Sequence, residues 1–308
     1  MQFAPAHMDH SLYQYSALPA RAAPLSGGAG GLQAYVLLCL EHWDALAPEG
    51  AVRDPRFVGE FGSFTPDYRS WTQREYGLRV GLYRVLDALR EAGLRPAVAA
   101  NARVLRRLPR VVAQLNEWGC EWVAHGLSAN QLMHARMPMD EQRAHIADSL
   151  DAVEAHTGRR PAGWLSQDWG TTPDTFALLA EAGLRYTLDW CNDDQALPMS
   201  QADGASAAPL VALPLSAEWD DVQCQWLRHL TPRAHADLAL QAFDQLRAEC
   251  AQHRRQAVFG LALHPWLCGM SSRIAALRQL LHSLRERPGV QWTDPGVLAA
   301  QVQASASL

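Results

Sequence analysis

Lysine is missing altogether: every one of the 27 basic residues is arginine. Chemistry that needs an ε-amino group is thereby excluded, both Schiff-base catalysis and a phosphate-binding loop closed by lysine. The six cysteines stand at 39, 120, 191, 224, 250 and 268 with no Cys-x-x-Cys pair. Zinc-ribbon and dithiol redox readings therefore fail, and a 308-residue chain does not depend on disulfide staples. No apolar run approaches the roughly 18 residues of a membrane span, and no basic segment leads into an apolar one near the N-terminus. A cytoplasmic protein without a secretory signal is expected. The net charge of −5 is mild and gives no reason to expect nucleic acid or an anionic membrane as partner. Neither a Gly-x-Ser-x-Gly elbow nor a Gly-x-Gly-x-x-Gly turn after a strand is present, which argues against a serine hydrolase and a dinucleotide-binding fold.

What is present is an alternation. Residues 1–34 are polar and small, ending in Ser26-Gly27-Gly28-Ala29-Gly30-Gly31, and read as an N-terminal arm. From residue 35 to 308 a single catalytic barrel domain is expected. Its strands are predicted at Tyr35–Leu40, Pro96–Ala100, Glu121–Ala124, Ala162–Leu165, Leu184–Leu188, Leu210–Leu213, Val258–Leu263 and Val290–Trp292. Helices are predicted over 75–92, 109–118, 140–156, 174–182, 232–255 and 271–286, several ending at glycine: Gly93, Gly119, Gly158 and Gly183. Strands interleaved with helices imply an α/β fold, either an open sheet or a barrel, and the polar strand ends favour a distorted (β/α) barrel of seven or eight strands.

The strand ends carry the chemistry. Glu41, Asn101, His125, Ser166, Asp189, Glu218, His264 and Thr293-Asp294 each follow an apolar run. In a β/α barrel such ends converge on one face, where active sites sit. Glu41, His125 and His264 lie far apart in the chain, so only the fold can unite them. Together they suit hydrolysis: a base for water, an acid for a leaving nitrogen, and a group that orients or polarises. Taken singly, each has a plainer reading as a packed histidine or a solvated loop carboxylate. Cys39 reads as packing beneath the site. Asp189, Asp193 and Asp194 fit substrate binding or a capped turn equally well. Trp43, Trp71, Trp164, Trp169, Trp190 and Trp266 flank the proposed loops and could stack on a planar ring or sugar. Trp43, Asn101, Trp164, Asp189 and Asp193 are the substrate-binding candidates.

The motifs, in their order, resemble the polysaccharide deacetylase superfamily, in its allantoinase-like and cyclic-imide-hydrolase-like branch. Tyr35–Asp44 is similar to the first motif, with Glu41 its acidic residue and His42 following. Arg74-Glu75-Tyr76-Gly77 and Pro96–Asn101 resemble the next portion. Trp118–Gly126 resembles the second motif, His-x-x-x-His, of which His125 is the first histidine. Gly163-Trp164-Leu165, Leu179–Gly183, Asp189–Asp194 and Leu213-Pro214 are similar to later segments, and His264-Pro265 with Gly269 and Arg273 to the last. The resemblance spans about Tyr13 to Leu298 and implies His264 as general acid.

Two departures stand out. Ala129 occupies the place of the second motif histidine, and the Arg-x-Pro third motif is absent, leaving Gln167 or Asp168 to face the site. Typical members hold zinc or a similar divalent ion with an acidic residue and two histidines, and catalytic zinc ordinarily takes three protein ligands. Here a metal would need Glu41, His42 and His125, and His42 next to Glu41 on a strand points to the opposite face. The expectation is therefore a hydrolase of a small amide, ureide or cyclic imide without a tightly held cofactor. The alternatives are a metal-dependent N-acetyl sugar deacetylase and a catalytically silent barrel that binds a carbohydrate or small ligand. Allantoinase-like relatives imply a homo-oligomer.

Overall fold

The computed structural model describes residues 12–21, 31–46, 49, 66–200 and 209–306. Among them nine strands form one curled sheet: β1 Leu32–Leu40, β2 Ala97–Ala100, β3 Trp122–Ala124, β4 Gly163–Trp164, β5 Tyr186–Thr187, β6 Leu197–Pro198, β7 Val211–Ala212, β8 Ala257–Leu263 and β9 Val290–Trp292. Their order is β6-β7-β5-β4-β3-β2-β1-β8, with β9 joined to β1. All pairings are parallel except β6 with β7. Strand β9 takes the first residues of the β1 edge whose last residues pair with β2. The outcome is an open, distorted barrel surrounded by helices. The eight predicted strands are all present. The ninth, β6, is two residues long and contains a proline, which suits an edge and leaves no apolar signal. Strand β1 begins at Leu32, inside the segment expected as an arm, most of which lies outside the described residues.

The long central strands are buried on both faces, which is why they read as unbroken apolar runs. Alternate residues nevertheless divide cleanly. Tyr35, Leu37 and Cys39 of β1, Val123 of β3, Tyr186 of β5, and Val258 and Ala262 of β8 form the inner cluster with Leu165 and Leu188. Leu38 and Leu40, Trp122 and Ala124, Trp164, and Phe259, Leu261 and Leu263 face the surrounding helices. Two glycines give the inner rings their room. A methyl on Gly163 would lie 2.0 Å from the Tyr186 ring, and one on Gly260 would lie 2.5 Å from the Tyr35 hydroxyl.

The parity of each strand, continued past its last residue, decides what enters the barrel mouth. Glu41 continues the inner row of β1, Asn101 that of β2, His125 that of β3 and His264 that of β8. His42, Ser166 and Asp189 continue outer rows. At the opposite end of the sheet, Asp294 pairs with Arg95 at 2.5 Å, just before β2, so this strand-end carboxylate lies away from the mouth.

Candidate active site

Glu41 is the centre of the site and only 6% exposed. Its Oε1 accepts a hydrogen bond from Gln167 Nε2 at 2.6 Å, lies 3.5 Å from His125 Nε2 and 4.0 Å from His264 Nε2. Burial alone would raise this carboxyl, but the neighbouring His125 and His264 and the hydrogen bond from Gln167 outweigh it and hold it at about 2. It is an ionised acceptor at any ordinary pH.

The two histidines are oriented from behind. His125 Nδ1 donates to the Leu165 carbonyl at 2.7 Å, so the edge turned to Glu41 is Nε2. His264 is held by both oxygens of Asp221: Nδ1 donates to Oδ1 at 2.6 Å and the backbone N–H to Oδ2 at 2.8 Å. Burial opposes the imidazolium, but Cys39 and Asp221 outweigh it and raise His264 well above the usual histidine range. Of those two, Asp221 supplies the charge, since burial pushes the Cys39 thiol up to about 11 and leaves it neutral. Asp220 lies beside this pair. Its Oδ1 accepts from the Gln223 N–H, its buried Oδ2 sits 3.9 Å from His264 Nδ1, and burial raises it to about 7.

Asp220, Asp221 and Arg74 were not singled out as site residues in the sequence. Glu218 was the predicted strand-end acid; instead its side chain is exposed and pairs with Arg228 at 2.8 Å, and the chain turns inward two residues later. Two adjacent acids after a strand, Asp220-Asp221, were the available signal. Arg74 arrives from the helix Tyr68–Tyr76 and is 4% exposed, its guanidinium 3.3 Å from the Trp266 ring centroid, 4.8 Å from Trp43 and 5.3 Å from Trp226. Burial lowers it to about 10 against the pull of Glu41 and Asp67, so it remains charged and adds cation–π attraction inside the cage. The helix can come this close because a π-helical turn, Gly77–Gly81, follows it. A methyl on Gly81 would meet the Pro265 carbonyl at 2.1 Å, and one on Gly77 would meet the Trp266 backbone at 2.5 Å. Both glycines thus seat the segment that carries His264.

Gln167 reaches Glu41 from the loop after β4, where Asp168 and Trp169 both adopt φ of 52°. Two successive non-glycine residues in the left-handed region cost on the order of 1 kcal/mol each, and such strain collects at functional sites.

The other expected substrate-binding residues sit elsewhere. Asn101 is fully buried and spends its amide on the backbone, accepting from the His42 N–H and donating to the His125 carbonyl; it locks two strand ends together. Trp164 is 1% exposed and faces the helices, its Nε1 donating to Ser166 Oγ at 2.8 Å. Asp189 accepts from the Ser166 N–H and Oγ at 2.6 and 2.9 Å, and burial raises it to about 6. Trp164 and Asp189 thus face the wrong side because their strand parity points outward. Asp193 lies at the periphery in an ion pair with Arg21 at 2.5 Å. Trp43 alone of these five stands at the Arg74 cage.

The metal set does not assemble. Ala129 is buried and offers no donor, and its N–H bonds the His42 carbonyl at 2.8 Å. The His42 ring is turned outward, Nε2 3.2 Å from Asp44 and Nδ1 2.7 Å from Arg107. Among the described residues the one group of three convergent donors is Asp220, Asp221 and His264, and there both Asp221 oxygens already hold His264. The residues present therefore do not fit the three-ligand site that the resemblance implies.

The chain thus forms a curled, mostly parallel sheet ringed by helices, a distorted (β/α) barrel. Known structures bear out that fold. A crystal structure of Puue allantoinase is 22% identical with a TM-score of 0.78, over 94% of this chain and 95% of that one. A probable polysaccharide deacetylase from Pseudomonas aeruginosa PAO1 is 22% identical with a TM-score of 0.74, over 90% and 92% of the two chains. In sequence, a Schizosaccharomyces pombe protein named as a candidate polysaccharide deacetylase is 24% identical over 232 residues, 70% of each chain. No family model matches the chain. No helix among the described residues is long and apolar enough to cross a membrane.

Proposed function

We propose that this chain hydrolyses non-peptide carbon–nitrogen bonds in a small amide, ureide or cyclic imide. The observation that carries this reading is an ionised carboxylate, Glu41, facing an imidazole, His264, whose far nitrogen is bonded to Asp221. Neighbours named as an allantoinase and as polysaccharide deacetylases support the same class.

In this mechanism water lies against Glu41 and adds its oxygen to the substrate carbonyl carbon. The proton passes to Glu41 as negative charge grows on the carbonyl oxygen. His125, anchored through Nδ1, holds the carboxylate in line. The carbon–nitrogen bond then breaks as His264 delivers its Nε2 proton to the departing nitrogen, and Asp221 stabilises the imidazolium until that moment. Arg74 offsets the negative charge of Glu41.

Hydantoin, dihydrouracil and succinimide are the first substrates to offer, with ring opening followed by loss of ultraviolet absorbance. Glu41→Gln and His264→Ala should each lower turnover at least about 100-fold. Undiminished turnover in both variants would end this reading. Release of acetate from N-acetylglucosamine oligomers without ring opening would move it to sugar deacetylation.

A further inference from the structure

Gln167 has two ends in different circumstances. Its Nε2 donates to Glu41 at 2.6 Å, and an acceptor-only carboxylate there fixes which end of the amide faces it. Its Oε1 is left buried and makes no hydrogen bond. A buried carbonyl oxygen without a donor is unfavourable, and its persistence at a site asks what fills it. Trp169 N–H bonds Ser166 at 3.2 Å, Gly170 N–H bonds Gln167 at 3.0 Å, and the two left-handed residues between them complete a tight turn. On the same turn the Trp169 indole N–H is also buried without an acceptor, and that ring packs against the inner cluster. Gln167 Oε1 thus stands beside the base as a buried acceptor, and its complement is an N–H donor.

We propose that Gln167 selects the substrate: while Nε2 orients Glu41, Oε1 accepts a hydrogen bond from a substrate N–H, so the site takes imides and ureides that keep that N–H and rejects N-alkylated ones. This rests on the reading of the site as a carbon–nitrogen hydrolase. Gln167 is then more than a prop for the carboxylate, and stands where the third-motif arginine is missing. An arginine has no acceptor atom and could not make this selection.

The test compares matched pairs: hydantoin with its 1-methyl and 3-methyl derivatives, and succinimide with N-methylsuccinimide. Each is measured with wild type, Gln167→Met and Gln167→Ala. The wild type should favour the N–H compound over at least one N-methyl partner by about 10- to 100-fold in kcat/KM, the range for a site left with an unmatched polar group. In Gln167→Met, which keeps the length but neither hydrogen bond, that ratio should fall to within about threefold of unity, whatever happens to the absolute rate. Gln167→Ala supplies the same ratio if the methionine variant does not fold. A ratio that survives in the variants points to steric exclusion of the methyl and overturns the proposal, as does a wild type that does not discriminate. If nothing turns over, the hydrolase reading fails, and the same ratios are taken from dissociation constants by calorimetry. Discrimination in binding that vanishes in the variants then upholds the role of Gln167; absence of binding by every compound overturns it.

Discussion

Replacing Asp221 with asparagine tests the electrostatic core of the site with almost no change of shape. Wild-type Asp221 satisfies two donors, the His264 backbone N–H and Nδ1–H, at 2.8 and 2.6 Å. Asparagine has one oxygen for these two donors and turns an NH2 group toward the other, besides losing the charge. A unit charge at about 4 Å from another near a protein surface is worth about 4 kcal/mol, or about three pKa units. With that charge replaced by an amide dipole, the His264 pKa should fall. His264 acts as an acid, so activity is present below its pKa and disappears as pH rises through it. The alkaline limb of kcat/KM should therefore move down toward neutrality, with the rate loss against wild type growing as pH rises. The imidazole can also be followed without substrate, by titrating histidine ring nitrogens in two-dimensional NMR spectra and assigning His264 with a His264→Gln variant. Stability has the same sign. A histidine raised in the folded state stabilises fully below its unfolded pKa and loses that contribution as pH rises through the folded value. The variant should thus be weaker than wild type by about 3–5 kcal/mol near pH 6, with the gap narrowing in alkali. An unmoved His264 titration, or a rate loss without any shift of the alkaline limb, would refute the pairing.

Further outcomes follow from neighbouring residues. Asp220, raised by burial to about 7, makes the folded state lose stability as pH climbs from about 4 to 7, because a buried carboxyl must ionise. Asp220→Asn should lack that loss and gain on wild type across this window by on the order of 2–4 kcal/mol in urea unfolding; parallel curves would show that Asp220 carries no such penalty. His42 faces Asp44 and Arg107, so His42→Gln should retain kcat/KM within about threefold of wild type, since a single exposed-side contact is worth little. A collapse of activity together with loss of a bound ion would instead make His42 a ligand. Gly81→Ala must push a methyl into the Pro265 carbonyl and should cost about 1–3 kcal/mol of stability in denaturant unfolding; an unchanged midpoint would contradict the close approach of the π-turn to the His264 segment.

Much of this was legible from residue order. The runs ending at Glu41, His125 and His264 identified three strands whose inner rows continue into the mouth, and the same alternation explains why His42 turns away. Applied to the other strands it would also have removed Trp164 and Asp189 from the substrate-binding set, since Leu165 and Leu188 are the inward neighbours. Asn101 has inward parity yet is consumed by backbone groups of two other strand ends, a use that depends on how β1, β2 and β3 stagger. Proximity to a strand end in sequence does not place Asp193, which lies beside the start of β8, where the Asp194 carbonyl accepts from the Val258 N–H.

The chain by itself determined the strand–helix alternation, the parity of each strand and hence the inward Glu41, His125 and His264. It also determined the missing donor at Ala129, since alanine cannot ligate whatever surrounds it. These depend on covalent geometry and side-chain chemistry, which are local. Only the tertiary structure decided that Asp221 rather than Glu218 grips His264, that Arg74 enters a tryptophan cage beside the site, and that Gln167 takes hold of Glu41. Each of those contacts joins segments separated by a turn of unpredictable length or a glycine-seated helix. Ångström-scale approach between distant segments is set by packing of the whole barrel, and no period in the sequence encodes it.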